Sequence, residues 1–331
     1  MSKYNVAIAG ATGAVGQEMI KTLEKRNFPV KTLTLLASKR SVGKTMTFKG
    51  QEIAVQELTH DSFRGCDIAL FSAGSERSKE FRQSVIDAGA VMIDNSSAFR
   101  MDPTVPLVVP EVNPEAVKGH NGVIANPNCC TIILVVPLKP LYDLSRITRI
   151  VVATYQSASG AGAQAMEELR DQSARILAGE PAAPEIFPYQ IAFNLFSHNA
   201  GIESNGYNGE ENKMVLEARK ILGDNDIKIT PTCIRVPVFR AHAEAITIEQ
   251  ERKVSVEEAR AALAKAPGIR IADDREANYF PMPIEVSGED DIAVGRIRDD
   301  IGNDHGLCLF VAGDQLLKGA ALNAVQIAEL L

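Results

Sequence analysis

Positive charge is in deficit in this 331-residue chain, which carries a formal net charge of −7. That argues against nucleic acid or an anionic membrane as the main partner, since both reward basic surface. Long apolar runs are missing too, and the longest fall far short of a membrane span. Met1-Ser2-Lys3-Tyr4 leads straight into VAIAG, without the hydrophobic region and cleavage site of a secretory signal. Cysteine is scarce and odd in number: Cys66, Cys129, Cys130, Cys233 and Cys308 form no CxxC pair. This points to reduced thiols in a cytoplasmic setting. The histidines at 60, 120, 198, 242 and 305 show neither HExxH nor a Cys/His grouping with ligand spacing, so no metal is expected. There is no tryptophan, no repeat and no low-complexity segment. At 45% hydrophobic and 23% charged, the remainder is the composition of a soluble globular protein, and the length favours two domains.

What is present begins with an alternation. YNVAIAG, TLTLLAS, IAVQEL, DIALFSAG and VMIDNS read as strands, while AVGQEMIKTLEKR and RSKEFRQSVIDAG read as helices. This βαβ rhythm predicts a parallel, doubly wound sheet. Beyond position 130 the texture changes. RITRIVVATYQSASG reads as a long strand and AMEELRDQSARILAG as a charged helix, followed by the proline-rich EPAAPEIFPYQIAFNLFSHNAG. CIRVPVFRAHAE and LCLFVAGD read as strands, VSVEEARAALAKA as a helix, and GDQLLKGAALNAVQIAELL as a final amphipathic helix. Strands then outnumber helices, which suits an antiparallel-rich α+β domain.

The loop Gly10-Ala11-Thr12-Gly13-Ala14-Val15-Gly16 follows the first strand and opens the first helix. Glycines there permit tight turning, and a helix N-terminus offers amide donors to a pyrophosphate. The GxxGxxG spacing departs from GxGxxG, so a merely structural turn stays open; the strand-to-helix context favours a dinucleotide site. An NAD-preferring second strand usually ends in an acid. Here it ends in Ser38-Lys39-Arg40-Ser41, which suits a 2′-phosphate and hence NADP, although a solvated basic turn reads the same. Ser72, after a later strand, is a further candidate edge of that cleft.

The run NPNCC enters the apolar TIILVV. Asn128 suits the cap of a helix starting at Cys129. A thiol in that first turn feels the positive end of the helix dipole, which favours thiolate. Cys129 is therefore the expected nucleophile and Cys130 a small core residue.

A dinucleotide fold with a reactive cysteine suggests aldehyde chemistry through a thiohemiacetal. The segments GATGAVG, NSSAFR, VPEVN, NPNC, YQSASGAG, CIRVPVFRAH and the tail together resemble the aspartate-semialdehyde dehydrogenase family, nearly end to end. The resemblance implies an N-terminal Rossmann-like NADP-binding domain, residues 1–128 with 313–331. It also implies an α+β catalytic and dimerisation domain of the semialdehyde dehydrogenase type, residues 129–312. The implied reaction is NADPH-dependent reduction of aspartyl phosphate to aspartate semialdehyde and inorganic phosphate. It would serve biosynthesis of lysine and diaminopimelate, methionine, threonine and isoleucine, in a homodimer or homotetramer.

The same resemblance assigns roles. Cys129 is the nucleophile, His242 the acid/base, and Gln156 orients the substrate. Arg235 holds the substrate carboxylate, Arg100 and Lys213 the phosphate, and Glu210 lies near the amine. Ser159, Gly160 and Gln315 face the cofactor beside Gly10, Thr12, Gly13, Ala14, Val15, Ser38, Arg40, Ser41 and Ser72. Taken alone, His242 reads as a structural histidine, Arg235 as a surface cation, and Glu210–Lys213 as an exposed i, i+3 ion pair. Arg235 and His242 are seven apart, an odd interval that places them on opposite faces of one regular strand; a bend between them is required. Position 130 departs from the family, where Ser or Thr is common. Two related activities compete: reduction of N-acetyl-γ-glutamyl phosphate, and phosphorylating oxidation of glyceraldehyde 3-phosphate. Glu210 favours a free amine over the first, and Ser38-Lys39-Arg40-Ser41 opposes the usual cofactor of the second.

Overall fold

The structure is a computed structural model describing residues 3–331, so Met1 and Ser2 of the start segment lie outside the described residues. The chain divides into two compact units, one running to Asn128 and resumed by Gly319–Leu331, the other Cys129–Lys318.

In the first unit, β1 (Tyr4–Ala9), α1 (Ala14–Lys25) and β2 (Val30–Ala37) open the chain. β3 (Thr45–Phe48), β4 (Gln51–Glu57), β5 (Ile68–Phe71), α2 (Ser75–Asp87), β6 (Val91–Asp94) and β7 (Val123–Ala125) follow. The strand order is β3-β4-β2-β1-β5-β6-β7. Every pair is parallel except β3 with β4, a hairpin turned at Lys49 (φ 49°) and Gly50 (φ 75°). Two positive φ angles in succession give a turn whose twist matches that of the strands. The expected series lacked both β3 and β7, because a four-residue TMTF and a three-residue VIA carry too little periodicity. Successive strands leave β1 in opposite directions, so the chain reverses its winding beside the loop that follows β1. Ligands of doubly wound sheets bind at such a reversal.

The second unit contains α3 (Cys129–Leu144), β8 (Ile147–Gln156), α4 (Ala163–Leu177), β9 (Phe196–Ser197) and α5 (Gly209–Leu222). It continues with β10 (Lys228–Arg235), β11 (His242–Gln250), α6 (Val256–Leu263), β12 (Ile269–Ile271), α7 (Pro283–Val286), β13 (Ile292–Asp299) and β14 (Gly306–Gly313). The sheet runs β12-β13-β14-β11-β8-β10-β9 and is mixed, with β8 parallel to β10 and antiparallel to β11. Helix α3 packs against β8, β11, β13 and β14. Its run from Cys130 to Leu138 is buried throughout, which explains the unbroken apolar stretch.

The segment CIRVPVFRAHAE is not one strand. β10 ends at Arg235, residues 236–241 cross over the end of β8, and β11 begins at His242 on its other side. Pro237 lacks the N–H a ladder needs, and Ala241 turns the chain with φ 72°. The tail differs as well. A π-helical turn at Leu317–Ala321 precedes α8 (Leu322–Glu329). The Asp314 carboxylate accepts the Leu316 and Leu317 amides, holding that stretch in a turn before the helix begins. Back in the first unit, Val325, Ile327 and Ala328 of α8 join Met19, Leu23, Leu35, Leu70 and Ile93 in one core. Arg26 clamps Glu329 with two bonds of 2.7 Å. Among the described residues no helix is long and apolar enough to cross a membrane.

Candidate active site

In the first unit a cavity of about 670 Å³ opens where the winding reverses. It is lined by Gly10, Thr12 and Gly13 before α1, Ser38, Lys39 and Arg40 after β2, and Ser72 after β5. Gly10, at φ 87°, lies so near β5 that a methyl group would stand 2.2 Å from the Ser72 carbonyl. Gly16 lies equally close to the Gly10 carbonyl, 2.2 Å from where its Cβ would be. These two glycines let strand, loop and helix close up. Gly13, in extended backbone, precedes Ala14 and Val15, the first residues of α1; the helix has no side-chain cap bond and no first-turn acid. Such a terminus presents amide donors to an anion. The Ser41 hydroxyl lies 3.4 Å from that of Thr12, joining the two loops. Open amides, close glycines and two exposed cations after β2 together fit a nicotinamide dinucleotide.

In the second unit three strand ends converge. Gln156 at the end of β8 is in register with Arg235 of β10, while Tyr155 is in register with Ala243, beside His242 at the start of β11. Cys129, half-buried, is the first residue of α3. The sulfurs of Cys129 and Cys130 and a ring nitrogen of His242 all lie within 4.8 Å of one another. The two cysteines are chain neighbours, but no local spacing foreshadowed His242 beside them. Cys129 is pushed well below the ordinary thiol range, first by a hydrogen bond from Cys130 and then, against the cost of burial, by the adjacent His242. Cys130 is fully buried, as expected of a core residue, and burial pushes its own thiol well up. It stays protonated and so donates to its neighbour.

His242 is wholly buried. Its Nδ1 accepts the Ser157 amide at 3.0 Å and lies 3.0 Å from the Ser157 hydroxyl. Its Nε2 has no hydrogen-bond partner among the described residues. Gly160 presses on the ring: a Cβ there would stand 3.1 Å from Nε2 and 3.2 Å from Nη1 of Arg235. Ser159 and Gln315 are bonded to each other behind this ring, so all three cofactor candidates outside the first unit gather around His242.

Arg235 is buried, not a surface cation. It donates to the Ser157 carbonyl at 2.8 Å, lies 2.9 Å from Nε2 of His198, and stacks over Phe187 at 5.5 Å. Asn208 and Glu211 form a capping box at the start of α5, and the second Glu211 oxygen accepts the Cys233 amide of β10 at 2.9 Å. That clamp sets Glu210, also buried, 3.4 Å from the Gln156 amide. Lys213 pairs with Glu210 at 3.3 Å and stays partly exposed. Arg100 lies in the first unit, where it donates to the Asn126 and Asn95 carbonyls at 3.0 and 2.8 Å.

Sequence reasoning missed Ser157, His198 and Glu244. Ser157 lies inside YQSASG, whose neighbours were singled out; His198 lies in irregular chain with no pattern around it. Glu244 shares a face of β11 with His242 at i, i+2. It is fully buried, neither oxygen has a partner among the described residues, and burial raises it well above the carboxylate range. An acid two residues beyond His242, on the same face of β11 among alanine and isoleucine neighbours, was the available signal.

Two family models match the chain. Residues 5–120 match the semialdehyde dehydrogenase NAD binding domain and residues 138–318 its dimerisation domain. An aspartate-semialdehyde dehydrogenase of Synechocystis is 57% identical over 330 residues, covering 100% of this chain and 98% of that protein. The Vibrio cholerae aspartate semialdehyde dehydrogenase II complexed with ASA superposes with a TM-score of 0.97 at 47% identity, covering 100% of this chain and 98% of that one. The Candida albicans enzyme with NADP gives 0.78 at 27% identity, with coverage of 100% and 98%. With both domains matched and more than half the residues shared along the full length, the chain belongs to the aspartate-semialdehyde dehydrogenase family of oxidoreductases.

Proposed function

We propose that the chain catalyses NADPH-dependent reductive dephosphorylation of L-aspartyl 4-phosphate to L-aspartate 4-semialdehyde, with Cys129 as the covalent centre. The observation that carries this reading is the Cys129 sulfur, made acidic at the start of α3 and set within 4.8 Å of both Cys130 and His242. The Cys129 thiolate adds to the acyl carbon and phosphate departs, leaving a thioester. A nicotinamide cofactor held by the Gly10–Val15 loop and by Ser38, Arg40 and Ser41 would supply the hydride that reduces it. Collapse of the resulting thiohemiacetal oxyanion frees the semialdehyde and restores the thiolate.

The surrounding side chains sort by chemistry. Arg235, immobilised by Ser157, His198 and Phe187, presents a planar fork suited to the substrate carboxylate. Glu210 meets the free amine and Gln156 holds the acyl group near the sulfur. Lys213, with Arg100, neutralises phosphate. His242 works on the sulfur and on the product oxygen through Nε2. In the first unit the loop Gly10–Val15 holds the pyrophosphate, while Ser38, Lys39, Arg40 and Ser41 take the 2′-phosphate, which favours NADP over NAD. The active form is a homodimer, and the product enters the biosynthesis of lysine, methionine, threonine and isoleucine.

The test is NADPH formation from aspartate semialdehyde with and without inorganic phosphate, beside the N-acetylglutamate analogue. Phosphate-dependent turnover of the free-amine substrate alone is expected. Turnover of the N-acetyl analogue, or none of either, would overturn the reading.

A further inference from the structure

Residues 178–208, between α4 and α5, hold no regular structure beyond the short strand β9, yet they are fastened at several points. Buried Glu168 of α4 accepts the Glu185, Ile186 and Phe187 amides at 3.1, 2.6 and 3.2 Å. Buried Gln172, one turn further along, accepts the Ile191 and Ala192 amides at 2.9 and 3.2 Å. Phe187, Ile191 and Phe196 pack with Ala165 and Leu169 of the same helix. β9 then pairs antiparallel with the end of β10, setting Phe196 opposite Arg235, and the His198 amide donates to the Cys233 carbonyl at 2.9 Å. Irregular chain is ordinarily the mobile part of a domain. This stretch is tied down on both sides, and two of its side chains end on Arg235.

Phe187 lies against the face of the guanidinium at 5.5 Å, and Nε2 of His198 lies 2.9 Å from its Nη2. The other ring nitrogen, Nδ1, lies 3.1 Å from the Ala200 amide. Both neighbours can only donate, and a neutral imidazole has one bare nitrogen with which to accept. Burial, assisted by Arg235 and opposed by Glu210, pulls His198 below its ordinary range and so keeps it neutral. The charged donor forms the stronger bond, which turns the bare Nε2 to Arg235. With Nη1 on the Ser157 carbonyl, two guanidinium nitrogens are engaged, while Nε is buried without a partner. No carboxylate pairs with this cation among the described residues. A buried charge left uncompensated is costly, so the fork is set to receive an anion.

From this geometry we infer that residues 178–208 form the carboxylate-selectivity element of the site, with His198 the positioning residue that aims the Arg235 fork at the substrate. The inference rests on the reading above, in which Arg235 takes the substrate carboxylate, and names what gives that contact its precision. A carboxylate accepts two parallel N–H bonds only from a guanidinium whose plane and direction are fixed. Phe187 restrains the tilt of the plane, and the His198 acceptor restrains rotation within it. The carboxylate is remote from the reacting carbon, so this contact is made equally before and during the chemical step. Its loss therefore falls on KM and not on kcat.

The test compares aspartate semialdehyde with 3-aminopropanal, which keeps the aldehyde and the amine and lacks the carboxylate. His198→Leu keeps much of the bulk of the ring and removes the acceptor. It should raise KM for aspartate semialdehyde roughly five- to tenfold, change kcat by less than about twofold, and leave kcat/KM for 3-aminopropanal within about twofold of the parent chain. His198→Gln places an amide oxygen near the position of Nε2 and should bring KM back to within about twofold. Equal losses on both aldehydes would reduce His198 to packing, and an unchanged KM in His198→Leu would remove it from the site; either result overturns the inference. Should the leucine variant not fold, His198→Asn, polar but too short to reach Arg235, carries the same expectation. Phosphate-dependent oxidation of aspartate semialdehyde by the parent chain is scored first. Failure of the reading above shows there, and failure of this inference shows only in the variants.

Discussion

The cavity beside α1 and the cluster around Cys129 are built by opposite means. The first draws on one glycine loop and the residues just past two strand ends, all in parallel chain whose βαβ repeat brings strand ends together automatically. The second takes its groups from the starts of α3, α5 and β11, the ends of β8 and β10, and the stretch after β14. A local site leaves a spacing motif in the sequence. A site assembled from six places leaves only isolated residue types, each of which has an ordinary structural explanation.

Substitutions sharpen this contrast. Cys129→Ala should cost phosphate-dependent turnover on the order of four decades or more, yet leave NADPH affinity, followed by fluorescence titration, within about twofold. A large loss of NADPH binding would mean that the two sites are not separable. Next in size is Arg235→Lys, where a point charge replaces a buried fork. It should raise KM for the semialdehyde roughly ten- to a hundredfold, as loss of a charge-assisted bond implies, again without touching cofactor affinity; an unchanged KM removes Arg235 from the carboxylate site. Arg40→Ala tests the other region. It should weaken NADPH about tenfold and NADH less than about twofold, as loss of one exposed charge-assisted contact implies. Equal losses defeat the 2′-phosphate assignment.

The smallest effect concerns acidity. A lowered thiol pKa keeps Cys129 anionic below the ordinary thiol range. Alkylation by iodoacetamide should therefore hold steady as pH falls through that range and decline only at the lower value. Cys130→Ala removes the main stabilising donor, so the decline should move to higher pH, with activity at neutral pH reduced by only about threefold. Cys130→Ser should behave like the parent chain. A pH profile indifferent to position 130 would return Cys130 to a purely packing role.

Much of the first unit was legible. Its strands alternate with amphipathic helices, and only the short β3 and β7 escaped, having too few residues to show a period. Cys129 was legible because a polar run meets an apolar helix at that residue. His242 and Arg235 were legible only through resemblance, since a regular strand would have set them on opposite faces. The crossing at 236–241 resolves this by placing them on two different strands flanking β8. The burial of Arg235, the clamp on it from His198, and the Cys130 donor left no periodic trace. Each depends on which elements pack together.

By itself the sequence determined the doubly wound nucleotide unit, the glycine loop and the helix that opens with Cys129. These follow from φ/ψ permissions and from the spacing of apolar residues, which are local properties of a chain. The tertiary structure decided which histidine meets that sulfur, which of its nitrogens is left to act, and which thiol lowers the other. Those depend on hydrogen-bond directions between groups far apart in the chain, and such directions exist only once the strand ends have converged.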